Sequence, residues 1–291
     1  MDKNYIEIKN LFPKNWKDYT LIDSGDGRKL EKFGTYIFNR PETQAMWAKR
    51  LNPSNWEQAD GIFFSSDLNS AESGKWKLKN NLPKHWVMKY NKINFLSLPT
   101  PFRHLGFFPE QSSHWDWTDA QIKKFITKYK RPPNLLNLFA YSGLASLNAA
   151  LSGASVTHVD ASKKAIDLAF KNRELSKLNN FPIRFIIDDA ISFVEKEFRR
   201  GRVYDGFILD PPKYGRGPKG QKWEINECLP ILLKKCKSIS SKTPFLFILT
   251  VYAIRISLNS ILYTVIDNLK LSSGKIEFGE LGITEQGTNG R

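Results

Sequence analysis

Leu135-Leu136-Asn137-Leu138-Phe139, followed by Ala140-Tyr141-Ser142-Gly143-Leu144, decides how the chain reads. A short apolar run between Pro133 and a cluster of small residues predicts a buried strand, and the stretch Leu144–Leu151 after the turn predicts a helix. The alternation recurs downstream. Strand-like runs fall at Val156–Val159, Ile183–Ile187, Tyr204–Leu209 and Phe245–Thr250, with helical stretches at Lys163–Leu178, Ala190–Arg199 and Glu224–Ile239. Upstream, Thr118 can cap a helix running to Lys130, which Pro132-Pro133 ends. Strands alternating with helices imply an α/β domain with a mostly parallel sheet. Ligands of such sheets sit beyond the carboxyl ends of the strands, so the residues after each run are the ones to read for chemistry.

After the first run, Ala140 and Gly143 leave room for a ligand to approach the backbone. The turn departs from the Gly-x-Gly-x-x-Gly fingerprint of dinucleotide sites, which argues against an NAD- or FAD-linked oxidoreductase. After the second run stands Asp160, able to accept two hydrogen bonds from a ribose diol or to cap a helix. Asp189, after the third run, can accept from an adenine amino group or cap the helix that follows. The fourth run ends in Leu209-Asp210-Pro211-Pro212-Lys213-Tyr214-Gly215. Two prolines fix the backbone and remove two N–H donors. What remains is a rigid patch of acceptors, the Asp210 carboxylate and nearby carbonyls, beside a Tyr214 ring on which a base can stack.

Composition narrows the class. In 291 residues, Lys and Arg number 44 against 29 Asp and Glu, a net charge of +15. The excess is spread over both halves, net +5 in residues 1–112 and net +10 in 113–291. It favours an anionic partner, nucleic acid first, although Lys-rich usage can also follow genome composition. Two cysteines exclude a disulfide-framed scaffold, and with four histidines they show no zinc-type spacing. The start is charged, without the apolar core of a secretory signal. The longest mainly apolar run, Pro244–Ile254, is far below the roughly 20 residues that span a bilayer. A soluble, cytoplasmic protein without metal or membrane is expected; the oligomeric state is not legible.

Asn137-Leu138-Phe139-Ala140-Tyr141-Ser142-Gly143, Asp160, Asp189-Ala190 and Asp210-Pro211-Pro212-Lys213 occur in the order found in class I S-adenosylmethionine-dependent methyltransferases. The chain most resembles the bacterial large-subunit ribosomal RNA methyltransferase group with an Asp-Pro-Pro-Lys-aromatic motif. The resemblance covers residues 95–285, and Leu21 to Trp47 also resembles the leader of a bacterial subgroup. It implies a Rossmann-like fold with a mostly parallel sheet, S-adenosyl-L-methionine as cofactor and RNA as partner. The implied cofactor contacts are Phe139, Ala140, Tyr141, Ser142 and Gly143 at the methionine end, Asp160 and Ala161 at the ribose, Asp189 and Ala190 at the adenine, and Asp210. Asp210, Pro211, Pro212 and Tyr214 are the implied catalytic corner. His104 to Ser112 resembles a Gly-x-aromatic-x-acidic-Gln-Arg segment bordering the cofactor in relatives, which adds Phe108 and Gln111. Ser112 stands where relatives carry Arg, and Arg103 and His114 are the nearby side chains that can replace it.

Methyl transfer is an in-line displacement, so the protein mainly has to align nucleophile, methyl and sulfur. Attack by a nitrogen needs neither metal nor covalent residue. Carbon-5 of a pyrimidine does need a thiolate, and relatives of that type carry a Cys after the fifth strand or beside the fourth. Here the fifth run ends in Thr250-Val251-Tyr252-Ala253, and Cys228 and Cys236 read as ordinary helix positions. A base nitrogen of ribosomal RNA is therefore the expected target. The loop Arg216–Trp223 joins three cations to a large aromatic, a composition suited to phosphates and an unpaired base. Alternatives are the same fold methylating a protein or small molecule, and a non-catalytic RNA- or cofactor-binding module; the intact Asp-Pro-Pro argues against the latter.

Residues 1–112 read as a small mixed β-rich module, and 113–291 as the methyltransferase domain. In the module, Tyr19–Asp23 and Arg28–Phe33 flank the turn Ser24-Gly25-Asp26-Gly27, a hairpin signal. Pro41–Arg50 reads as a short helix, Asn52–Gly74 as loop, and Trp86–Tyr90 and Ile93–Leu98 as strands. At the far end, Asn289-Gly290 is a hairpin turn with nothing after it to pair back. Relatives of the fold close the sheet with an antiparallel last strand, so a chain lacking that strand is expected.

Overall fold

The computed structural model describes residues 5–65, 74–242, 244–252, 254–270 and 274–288. The chain forms two units, Met1–Leu11 with His114–Glu280, and Phe12–Ser113 with Leu281–Arg291. This corrects the division into continuous stretches 1–112 and 113–291. The reason is strand pairing. Tyr5–Ile8 lies parallel to Lys275–Phe278 in the first unit, and Leu21 bridges Glu285 in the second.

The first unit holds a five-stranded parallel sheet in the order Ile183–Ile187, Ser155–Asp160, Asn134–Leu138, Gly206–Leu209, Leu246–Leu249. Alternate side chains serve opposite faces. Leu136, Leu138, Phe207 and Leu209 join a core with Phe193, Leu232 and Leu233. Leu135, Ile208 and Ile248 pack with Ile122, Ala149 and Ala150. Both faces of the central strands are thus buried, which is why they read as continuous apolar runs. Strand order reverses between Asn134–Leu138 and its neighbour Gly206–Leu209, creating the crevice where α/β sheets bind ligands.

The helix expected from Thr118 begins earlier, at Ser112, and runs to Tyr129. It follows directly on the 3-10 turn Pro109–Gln111, so Thr118 sits inside it, buried, rather than capping it. The run Lys275–Phe278 does not extend the five-stranded sheet, and Leu246–Leu249 is its edge among the described residues. Asn289-Gly290 lies outside the described residues.

The second unit is built on a five-stranded sheet, Tyr19–Gly25, Arg28–Phe33, Tyr36–Pro41, Gly61–Ser65 and Gly74–Leu78, and a hairpin, Trp86–Tyr90 with Ile93–Ser97. Pro41 ends a strand instead of opening a helix. The following segment is tied to the hairpin tip, its Ala45 and Trp47 carbonyls accepting from Gly27 and Asp26 N–H and its Glu42 N–H donating to the Gly27 carbonyl, so within it Ala45 N–H makes only a tight-turn bond to the Glu42 carbonyl. Asn52–Gly74 is not all loop either. It contains the helix Pro53–Glu57 and the strand Gly61–Ser65.

Glu31 is fully buried in this unit, accepting from Arg40 Nε at 2.7 Å, Arg40 Nη2 at 2.8 Å and the Tyr19 hydroxyl at 2.8 Å. Burial pushes its pKa up, but the charges of Arg40 and Lys29 and the hydrogen bonds outweigh this and hold it at about 2, against a usual 4.5. A carboxyl depressed in the folded state stabilises above its unfolded pKa and loses that contribution as pH falls through the folded one. We expect this unit to lose on the order of 3 kcal/mol between about pH 4.5 and pH 2. Denaturation midpoints measured from pH 6 to 2 check this, with Glu31→Gln flattening the profile; a parent profile already flat refutes it.

Candidate functional site

The rim of the parallel sheet collects most of the expected residues. Asp160 ends one strand, the turn Phe139 to Gly143 follows the next, and Asp210 follows the third. The registers Val159 to Leu138 and Leu138 to Leu209 set their starting points level. The turn is conformationally unusual. Phe139, Tyr141 and Gly143 have φ of 56°, 46° and 86°, and two non-glycine residues in that region cost of order 1–3 kcal/mol each. The turn is closed by its own bonds, Ala140 N–H to the Val159 carbonyl and Gly143 N–H to that of Ala140, while Tyr141 N–H points at Asp160. Asp160 supplies the counter-charge. Its Oδ2 accepts from Tyr141 N–H at 2.8 Å and its Oδ1 from Ser162 N–H at 2.8 Å. Burial nevertheless raises the Asp160 pKa, and burial and then Asp160 raise that of Tyr141. A half-buried carboxylate with one lone pair engaged on each oxygen retains capacity to accept further hydrogen bonds.

Ala161 is half-buried beside Asp160, and Ala190 is buried in the first turn of its helix. Asp189 caps that helix, its Oδ1 accepting from Ser192 N–H at 2.9 Å. Phe108 and Gln111 belong to the other unit, at the start and end of the Pro109–Gln111 turn. Ser112 is buried and donates to the Pro109 carbonyl at 2.8 Å. Of its two replacements, Arg103 donates to the Pro41 carbonyl. His114 meets Thr250 Oγ1 at 3.2 Å, and burial lowers its pKa to about 4, so it carries no charge at neutral pH.

At the fourth strand, Pro211 is buried and Tyr214 is 58% exposed, with Lys213 Nζ 5.3 Å from its ring centroid. The expected loop Arg216–Trp223 is the tip and second arm of a hairpin, Tyr214–Arg216 paired with Lys222–Glu224. Here the reading of Trp223 is corrected. It is 3% exposed and part of the main core, because its indole donates to the Pro212 carbonyl at 2.6 Å and its ring packs on Phe139. It has no face to offer an RNA base, and its indole engages one lone pair of the Pro212 carbonyl. Arg216 and Lys219 are exposed, while Lys222 pairs with Glu224 at 3.1 Å.

Sequence reasoning missed Asn172. It is fully buried, and its Nδ2 donates to the Ser142 carbonyl at 2.9 Å, tying the turn to the helix Lys163–Leu175. The signal was an amide completing the stripe Ala165, Ile166, Ala169. Cys236 is wholly buried, which pushes its thiol pKa up, and Cys228 is half-buried against the core. Among the described residues no group of His, Cys, Asp or Glu can hold a metal, and no helix is long and apolar enough to cross a membrane.

The chain is 40% identical to the S-adenosylmethionine-dependent methyltransferase of Agrobacterium tumefaciens, whose crystal structure it matches over 99% of its own length and 90% of that chain, with a TM-score of 0.90. It belongs to the S-adenosylmethionine-dependent methyltransferase family. The Rossmann-like fold is the class I methyltransferase fold, and S-adenosyl-L-methionine is its cofactor. The rim fits that group. Asp160 has acceptor capacity for a diol, and Ala140 adds only a methyl group to the turn. Among curated relatives, the ribosomal RNA large subunit methyltransferase K/L of Colwellia psychrerythraea is 32% identical over 234 residues, covering 75% of this methyltransferase and 30% of that protein. The ribosomal RNA large subunit methyltransferase I of an Enterobacter species is 35% identical over 100 residues, 34% of this chain and 25% of that one. The chain thus spans between a quarter and a third of these relatives. No protein-family profile matches it.

Proposed function

We propose that this methyltransferase methylates a base nitrogen of large-subunit ribosomal RNA. One observation carries the reading: Asp210, fixed by two prolines at the strand-order reversal, stands one strand from the Asp160-clamped turn, with exposed Tyr214 beside it. The names of the two ribosomal RNA relatives support the substrate class.

The bound cofactor supplies an electrophilic methyl carbon. Asp160 then accepts from the ribose hydroxyls while still holding Tyr141 N–H, Ala161 lines the ribose, and Asp189 accepts from the adenine amine beside Ala190. The turn Ala140–Gly143 approaches the methionine end. The Asp210 carboxylate, the charged acceptor of this corner, orients the attacking N–H. Tyr214 stacks on the unstacked base, and Arg216 and Lys219 meet phosphates.

The test is transfer of labelled methyl to total RNA from cells lacking the protein, followed by nucleoside analysis. Label in a nitrogen-methylated base of large-subunit ribosomal RNA is expected. Label in protein, or in a 5-methylpyrimidine, overturns the reading. Within the same frame, Asp160→Ala should weaken S-adenosylhomocysteine binding by about 1.5–3 kcal/mol, the cost of lost charge-assisted bonds. Calorimetry giving an unchanged affinity removes Asp160 from the site.

A further inference from the structure

The two halves of the rim must be held at a fixed separation, because an in-line displacement tolerates little misplacement of nucleophile against methyl. The Trp223 side chain touches both. Trp223 donates its indole N–H to the Pro212 carbonyl at 2.6 Å, while its ring packs on Phe139 at 4.7 Å between centroids. Phe139 opens the turn implied to meet the cofactor, and its φ of 56° persists only if its surroundings hold it. Pro212 belongs to the acceptor corner. Two prolines in a row supply no N–H of their own, so this corner is secured through its carbonyls. Trp223 takes that of Pro212, and Ile225 N–H takes that of Lys213 at 3.1 Å. Trp223 is further fixed by the hairpin, where it pairs with Gly215.

We propose that Trp223 is a positioning residue that sets the Asp210 corner against the cofactor turn. The assignment rests on the methyl-transfer reading above. It gives the hairpin a role apart from RNA contact: its inner arm aligns the reaction, and its outer arm presents Tyr214.

Trp223→Phe tests it, since an aromatic ring stays against Phe139 while the N–H donor is lost together with part of the ring volume. At saturating cofactor, the turnover of labelled methyl into RNA should fall tenfold or more. Affinity for S-adenosylhomocysteine, measured by calorimetry, should stay within threefold. Hydrogen exchange should accelerate at the amides of Tyr214–Arg216 while those of Ser155–Asp160 stay protected. Phe139→Leu, which spares the N–H bond, should instead act mainly on cofactor affinity. Trp223→Phe turnover within twofold of the parent overturns the assignment. So does a parallel loss of turnover, affinity and melting temperature, which marks Trp223 as core and nothing more. A parent that binds cofactor but methylates no RNA overturns the functional reading itself, and the alignment role with it.

Discussion

Asp210→Ala is expected to reduce methyl transfer by about 10²- to 10³-fold, the scale of losing a preorganised polar group aimed at developing charge, with S-adenosylhomocysteine affinity within about threefold. The contrast with Asp205, at the opposite end of the same strand, explains why. Asp205 pairs with both Arg131 nitrogens at 2.7 and 2.8 Å and accepts from Asn134 N–H at 2.9 Å, so it fastens the amino end of the sheet. Asp210 stands at the carboxyl end, where the strand order reverses and ligands collect. Removing Asp205 should cost stability; removing Asp210 should cost turnover. Single-turnover rates and calorimetry on the same preparation separate the two. Equal methylation by Asp210→Ala and parent excludes Asp210 from the chemistry.

The second large effect is expected at Gly143. Its φ of 86° lies in the left-handed region, and an added Cβ would sit 2.9 Å from Ala169 Cβ and 3.4 Å from Ala169 Cα. The obstacle is helix backbone and a methyl group, neither of which can rotate away. Gly143→Ala must move the helix Lys163–Leu175 from the turn or change the turn's conformation. Strain and overpacking together should destabilise by about 2–4 kcal/mol. Because Asn172 hangs on the adjacent Ser142 carbonyl, cofactor affinity should fall as well. A melting temperature within one degree of the parent, with intact binding, refutes the packing argument.

These two sites were legible because the parallel sheet is written in a simple code. Strands buried on both faces, such as Asn134–Leu138, read as unbroken apolar runs, and their ends point to the rim. The second unit is written less plainly. Its strand Gly74–Leu78 reads GKWKL, with lysines on an exposed face, and carries no apolar run to notice. Trp223 was misread because composition says that an aromatic lies among cations, but not which way it turns; an indole N–H seeking a carbonyl decided that. Asn172 was passed over because one amide in an amphipathic helix looks like surface until its stripe is counted.

The exchanged segments bear on how the protein is made. During synthesis Tyr5–Ile8 cannot find Lys275–Phe278 until some 270 further residues have been added, and the bridge from Leu21 waits almost as long for Glu285. Neither unit can finish folding during synthesis of its own main stretch. Until those partners emerge, chaperone capture and mispairing with neighbouring chains compete with native closure.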